Sequence, residues 1–573
     1  MANGFGSFYV GNSGLQSAQN ALNTTANNLA NVDTKGYVRE QVRFADKSYI
    51  MNVQPTAHTN MQQSGLGVSI GDVMHARDIF LDKAFRQESG RGAFYSNCYE
   101  TATYVEDLFQ ELAGQEFKTS ISDLWRAFQE YAKDPSNSTN QNLILQKSEL
   151  LLSRTTNLYK DLQSFQSNIN EQIKEDVNRV NEIGNRIYEI NIAVQKIEAG
   201  GVETAMTLRD ERDLLLDELA TYGKIEVKED ATGFAFVDME NAVFIDESRC
   251  HPLALKSEVG TGFYTPYWTH LSNVPAEQYH EAFPIEKEIS TELNNDIGGI
   301  KSKLKMRGTT YGRFDDMSPE KYENIEDCVL METQAEIDYL IHKMVTSIND
   351  LFCPNDTAAN VGIAPGTYKD ENGNSVTVDA DTLVLDTNNC SYGVDHAMPE
   401  ELFVRVGCER YTKIYNADGS VAGYVYNQED PNNTDRQYAI GSISINADLQ
   451  KQITLMPAYK DNGTVDYKMG EKLTEVWDKQ MMVISPDDAV PCTFAGYYDK
   501  IISRLGTNGT VYRAASDTLE NTVSSIDNMR QQVSGVSSDE ELSNMVKYQS
   551  AYNAASRYIT VISQMTELIV GLI

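Results

Sequence analysis

Between Met1 and Val32 the chain has no Asp, Glu, Lys, Arg or His, and its last 32 residues, Leu542 to Ile573, hold only Lys547, Arg557 and Glu567. Helices that are apolar along one seam and uncharged elsewhere are poorly served by water alone. That absence of charge excludes two freely solvated terminal helices and calls for helical partners, in the same chain or in neighbouring copies.

Other absences narrow the class. No run of about 18 to 20 uninterrupted apolar residues is present, so no transmembrane helix is expected. A basic stretch followed by an apolar core is missing at the N-terminus, so no cleavable secretory signal is expected. The seven cysteines, Cys98, Cys250, Cys328, Cys353, Cys390, Cys408 and Cys492, are odd in number and spread singly. They signal neither a disulfide framework nor a zinc site and read as ordinary buried thiols. Basic residues are also scarce, 48 Lys and Arg against 83 Asp and Glu, a net charge of −35. Such a chain disfavours nucleic acid and anionic membranes as partners and favours solubility at high local concentration.

Catalytic patterns are missing too. His280-Glu281 lacks the second histidine of a zinc-protease helix, and Gly65-Leu66-Gly67 with Gly71 lacks dinucleotide-binding spacing. Cys250-His251, His270 and His280 read as packing in an aromatic stretch. Glu211, Asp213, Asp217 and Glu218 repeat at helical spacing and read as a solvated face. No catalytic, cofactor-binding or metal-binding residue is assigned, and no enzymatic activity is expected.

What is present is helix at both ends and β-rich sequence between them. A chain of 573 residues exceeds what one core supports, so three or more domains are expected. Leu15, Leu22 and Leu29 share one heptad position of the first helix, with Ala18, Thr25 and Val32 at the partner position. Gly36 ends it, and residues 38–80 read as extended, with a flexible turn at Ser64 to Gly67. Helices follow over about Asp82 to Leu112, 119–132, 140–198 and Met206 to Tyr222. In the third, Ile173, Val180, Ile183, Ile187, Ile190, Val194 and Ile197 keep a 3,4 spacing broken at Asp176, and Gly200-Gly201 closes it.

Short strands begin at Ile225, helix returns at 285–304 and Ile325 to Phe352, and 354–500 reads as mostly β. There Ala417-Asp418-Gly419 lies between two β-branched runs as a hairpin signal. Helix resumes at about 508, with a seam at Tyr512, Ala515, Leu519, Thr522, Ile526, Met529 and Val533. A second seam, Met545, Tyr548, Tyr552, Ala555, Ile559, Ile562, Thr566, Ile569 and Ile573, has strict 3,4 spacing.

The expected architecture is therefore mainly α with β insertions: a terminal coiled coil, a helical bundle and a β-rich outer domain. The expected limits are 1–50 with 530–573 for the coiled coil, and 51–225 with 285–352 and 501–529 for the bundle. A small β-rich insertion is placed at 226–284 and the outer domain at 353–500. The assembly surface is assigned to Leu15, Ala18, Leu22, Asn27, Asn28, Leu29 and Asn31 with Met545, Tyr548, Tyr552, Ala555, Ile559, Ile562 and Ile569. The amides are included because they bond to neighbours without the desolvation cost of a charge. Residues 1–32 and about 538–573 are expected to be mobile in a single copy and to order on assembly.

The segment Ser13-Gly14-Leu15-Gln16 through Ala26-Asn27-Asn28-Leu29-Ala30-Asn31 and Thr34-Lys35-Gly36-Tyr37 resembles the N-terminal motif of bacterial flagellar rod, hook and hook-associated proteins. Further segments are similar to those of the hook-associated members. They are Arg209 to Leu219, Gly298 to Gly308, and Val533-Ser534-Gly535-Val536 with Asp539 to Leu542 and Tyr548 to Arg557. Glu40 stands where the family often has Gln, and Lys35 where Pro is frequent. The resemblance implies a structural subunit joining hook to filament, exported unfolded through the flagellar type III apparatus to an extracellular position. It implies as partners copies of the chain, hook subunits, the next hook-associated protein and an export chaperone on the C-terminal helix. The alternatives are another axial subunit (hook, rod or filament), or an enzyme or binding module displayed in 353–500.

Overall fold

The computed structural model describes residues 2–47, 50–51, 63–64, 67–110, 117–200, 204–285 and 288–571. Gly65, Leu66, Leu112, Gly201 and Ile573 of the segments above lie outside them. Helix α1 (Ala2–Ala30) leads through a turn to β1 (Glu40–Asp46), which pairs antiparallel with β4 (Val68–His75). The short strands β2 (Ile50–Met51) and β3 (Gln63–Ser64) pair between them. Then come α2 (Ile79–Gln110), α3 (Phe117–Lys133), α4 (Ser138–Glu198) and α5 (Met206–Tyr222).

A three-stranded antiparallel sheet of β5 (Ile225–Glu229), β6 (Ala235–Met239) and β7 (Ala242–Ile245) follows, then a hairpin of β8 (Leu253–Ser257) and β9 (Tyr264–Trp268). Helices α6 (Gly299–Arg307) and α7 (Val329–Phe352) return to the bundle. Beyond them lie β10 (Asn355–Thr357), the one-turn α8 (Ala358–Val361), β11 (Gly366–Lys369), β12 (Ser375–Val378) and β13 (Leu383–Leu385). Next are β14 (Phe403–Arg405), β15 (Tyr411–Tyr415), β16 (Val421–Tyr426) and β17 (Ile443–Ile445). The chain ends in α9 (Ala447–Lys451), α10 (Tyr467–Asp478), α11 (Phe494–Ser534) and α12 (Ser538–Gly571). Six strands of the outer region form one antiparallel sheet in the order β10-β13-β16-β15-β11-β12. The chain is 56% helical, mainly α with β insertions.

The spine is α4, 61 residues and about 92 Å long at 1.5 Å per residue. Asn137 caps it, its side chain accepting the Thr139 N–H at 2.9 Å. Ile173, Val177, Val180, Ile183, Ile187, Ile190 and Val194 are all buried along one stripe. Val177 carries that stripe past Asp176, which turns aside to pair with Lys303 at 2.7 Å. Ile197, at the end, is exposed. Against this spine pack α3, α5, α6 and α7, and α2 lies beside α11.

Three segments differ from their sequence reading. The described residues of 285–298 are not helical, because Asn295 bonds the local backbone instead. Its side chain accepts the Ser290 N–H at 2.9 Å and donates to the Glu288 carbonyl at 2.8 Å, an alternative to the helical ladder. Helix α11 starts at Phe494, well before 508, on the cap of Thr493 over the Gly496 N–H at 3.2 Å, and so crosses the limit expected at 500. Inside 353–500, α10 is helical and packs back on α3, with Leu473 and Trp477 buried. The hairpin at Ala417 to Gly419 is β15–β16 as its turn residues require.

Candidate assembly interface

Helices α1 and α12 run antiparallel within one chain. A Cβ placed on Gly11 would meet Ile559 Cγ1 at 2.8 Å, and one on Gly14 would meet the Ala555 methyl at 3.7 Å. At the other end Asn28 donates to the Glu541 carboxylate at 3.2 Å. In a single copy, for which mobile ends are the expectation, the two ends thus lie against each other.

The α1 side of the seam is made of small residues. Gly11, Ala18, Ala21, Thr25 and Asn28 are buried, with Gly14 half-buried, and together they follow 3,4 spacing. Small side chains let two backbones approach closely, so this face outcompetes the leucine face for the α12 contact. Leu15, Leu22 and Leu29 sit beside that line, half-buried, and Val32 is exposed beyond the helix end. Of the residues expected in the seam, Ala18 and Thr25 are in it, and the leucines flank it.

On α12 the spacing reads directly into the structure. Met545, Tyr548, Tyr552, Ala555, Ile559 and Ile562 are half-buried along one stripe, continued toward the helix start by the buried Glu541. Thr566 is exposed, and the side chain of Ile569 lies outside the described residues. A neighbouring ridge of α12 stays open: Tyr558, whose ring edges Gly11 of α1, and Val561, Met565 and Leu568 keep 3,4,3 spacing and are 43–69% exposed. Phe8 and Tyr9 of α1 are exposed as well.

The asparagines divide between two roles. Asn27 is exposed and donates to the Tyr37 hydroxyl at 3.2 Å, while Asn31 folds back on the Asn27 carbonyl at 3.0 Å. Asn28 turns inward. Its amide donates to the Glu40 carbonyl at 2.9 Å and accepts the Glu40 N–H at 3.0 Å, pairing with the strand as a second peptide would.

Arg39, just before β1, reaches α12. Its guanidinium contacts Glu541 at 2.8 Å and Glu540 at 2.8 Å, and its N–H donates to the Ser534 carbonyl at 2.8 Å. Glu541 is only 2% exposed, so its charge depends on Arg39 and Asn28. A side chain on Gly36, whose φ is +83°, would overlap Leu214 of α5, so the turn after α1 lies directly on the bundle.

A second cluster joins this region to α2, α5 and α11. Arg86 pairs with Asp217 at 2.8 Å, Arg530 with Asp217 at 2.6 Å, and Arg77 with Asp82 at 2.9 Å and with Asp213. Arg530 also lies 3.9 Å above the Phe85 ring. Asp213 and Asp217 are therefore not a solvated face. They sit mostly buried among three arginines brought by other elements. Glu211 and Glu218 do face outward, pairing with Arg186 and Arg179.

Behind the cluster, His75 Nε2 faces Asp210 Oδ1 at 3.4 Å, and Asp210 also accepts the Val38 N–H at 3.3 Å. Burial raises the Asp210 carboxyl to about 7 and lowers the His75 imidazole to about 4, the latter helped by Arg77 and Arg209. The Arg209-to-Leu219 segment closes on the bundle through two further arginines. Arg209 forks onto Glu198 through two 2.8 Å bonds, and buried Arg212 reaches Asn191 at 3.0 Å and the Gly233 carbonyl at 2.7 Å.

Family models match three parts of the chain. The flagellar hook-associated protein FlgK helical domain covers residues 102–352, the flagella basal body rod protein 8–37, and the basal body rod FlgEFG C-terminal model 528–572. Curated relatives named flagellar hook-associated protein 1 align over nearly the whole length. The one from Bacillus subtilis is 22% identical over 97% of this chain and 96% of its own, and that from Escherichia coli 22% over 98% of each. Over nearly its whole length the chain is similar to proteins named flagellar hook-associated protein 1.

The relatives and family models it matches carry the names of components of the bacterial flagellum. A structure described as the flagellar hook junction protein FlgK from Burkholderia pseudomallei aligns at 12% identity and TM-score 0.49, covering 79% of this chain and all of that one. The two short terminal models overlap α1 and α12, the elements of the charge-poor pair, and the helical model runs from the end of α2 through α7.

Elsewhere in the chain, His251 bonds Asp246 at 2.8 Å and its ring lies 4.2 Å from that of His270. Among the described residues no group of three His, Cys, Asp or Glu is placed to hold a metal ion. None of their helices is long and apolar enough to cross a membrane.

Proposed function

We propose that the chain is a self-assembling subunit of the hook–filament junction, exported by the flagellar type III apparatus and built into the extracellular flagellum. The observation that carries this is the exposed ridge of α12. Val561, Met565 and Leu568 stay exposed at 3,4 spacing, with Tyr558 at the edge of the α1 contact, on a helix whose neighbouring stripe already packs on α1. A ridge of that kind on a rod nearly free of charge is an interface awaiting other helices.

Sister copies are the natural occupants. Leu15, Leu22 and Leu29 at the flank of the inner seam, and Asn27 and Asn31 outside it, would complete the contact. In this reading the terminal pair, residues 1–50 with 530–573, forms the inner tubular layer, the helical bundle surrounds it, and the β-rich region points outward. Hook subunits and the next hook-associated protein would lie at its two ends, and an export chaperone would cover the C-terminal helix before secretion.

The test is deletion of the gene followed by complementation. Cells lacking it should keep hooks and release filament subunits into the medium, and Val561→Asp with Met565→Asp should fail to restore filaments. Normal filaments in the deletion strain would overturn the junction role.

A further inference from the structure

Ile79 and Phe80 are adjacent large apolar residues, 80% and 84% exposed, at the start of α2. Their backbone is fixed. Asp78 accepts the N–H of Phe80 at 2.9 Å, and Arg77 is held by Asp82 and Asp213. Two rigidly presented side chains that gain nothing from their own chain form a preformed contact surface. Lys83, exposed and one turn further along, has no ion-pair partner among the described residues.

A second unpartnered patch begins α12. Leu542 and Val546 are 49% and 64% exposed, one turn apart, and Asp539 stands three residues before Leu542, exposed and without an ion-pair partner among the described residues. Each patch places a large apolar residue and a charge three positions apart on a helix, with opposite signs.

We propose that these patches meet between neighbouring copies: Ile79 and Phe80 of one pack on Leu542 and Val546 of the next, and Lys83 pairs with Asp539. Two different patches on one chain, each complementary to the other, make a head-to-tail contact that propagates around a ring or helix. A chain of net charge −35 repels its own copies, so an acid opposed by a cation beside apolar side chains selects this docking over others. The contact rests on the self-assembly reading above and extends it from the terminal rod to the bundle.

The test is sedimentation of the full-length chain over a concentration series. Ile79→Asp with Phe80→Asp should keep the circular dichroism of the parent, since both side chains are already in water. It should need about tenfold more protein to associate, as expected when two apolar side chains lose their burial. Lys83→Glu and Asp539→Lys should each weaken association, and the two together should recover it. Unchanged association of the aspartate variant, or a double charge swap no better than its singles, overturns the contact while leaving the α12 ridge intact. A parent chain that stays monomeric throughout removes the assembly reading and this contact with it.

Discussion

Arg39 and Glu541 are 502 positions apart in the chain, yet guanidinium and carboxylate approach to 2.8 Å. The pair closes the end of the α1–α12 rod nearest the bundle, and Asn28 shares the same carboxylate. Removing one partner of a mostly buried ion pair typically costs about 3–5 kcal/mol, because the other charge is stranded. Arg39→Ala or Glu541→Ala should therefore loosen the start of α12, read as faster amide exchange over residues 538–552. The double variant should cost less than the sum of the singles.

Gly11 and Ala21 test the small-residue seam. Ala21 is fully buried and Gly11 has no room for a side chain against Ile559. Ala21→Leu should separate the helices at a cost of about 1–3 kcal/mol, the usual range for overpacking. Leu22→Ala, at the half-buried flank, should leave the stability of a single copy nearly unchanged and lower its association instead. Denaturant unfolding and sedimentation, run side by side, distinguish the two.

His75 and Asp210 oppose each other in their response to pH. Asp210, raised to about 7, contributes stability that is complete below its unfolded value and is lost as pH rises through 7. His75, lowered to about 4, contributes stability that is present above its unfolded value and is lost as pH falls through 4. Together they nearly cancel between about pH 4 and 6.5, the span set by the folded and unfolded values. His75→Gln should expose a fall in stability with rising pH over that range, and Asp210→Asn a rise. Urea unfolding at a series of pH values measures both.

Gly36 carries a positive φ and sits on Leu214. Gly36→Ala should cost about 1–3 kcal/mol through backbone strain and crowding. Adding Leu214→Ala should return only the crowding part, as seen in the unfolding midpoint of the pair.

The stripes of α4 and α12 were legible because long helices with apolar residues every three or four positions have one way to bury them. Val177 was passed over in favour of the break at Asp176, although it keeps the α4 stripe continuous. On α1, Ala18 and Thr25 fall on the observed seam, while Leu15, Leu22 and Leu29 each lie one position from it. Large residues dominate any periodicity count, and nothing local says that a glycine–alanine face will take the partner.

The Asp213 and Asp217 carboxylates looked solvated because their arginines, Arg77, Arg86 and Arg530, lie 127 or more positions away for two of the contacts and 313 for a third. Glu541 stands one residue before the charge-poor tail, and nothing local to it says that its partner is Arg39. The non-helical run before Gly299 had a signal in Asn294-Asn295-Asp296, side chains that compete for the backbone.

Spacing and charge along the chain were enough to establish that both ends are helical, nearly neutral and unable to stand alone in water, because periodicity and composition are local properties. Which face of α1 meets α12, which ridge stays bare, and which acids find arginines were settled by the fold. Those choices depend on how closely two backbones approach and on groups hundreds of residues apart, and neither is written in any local pattern.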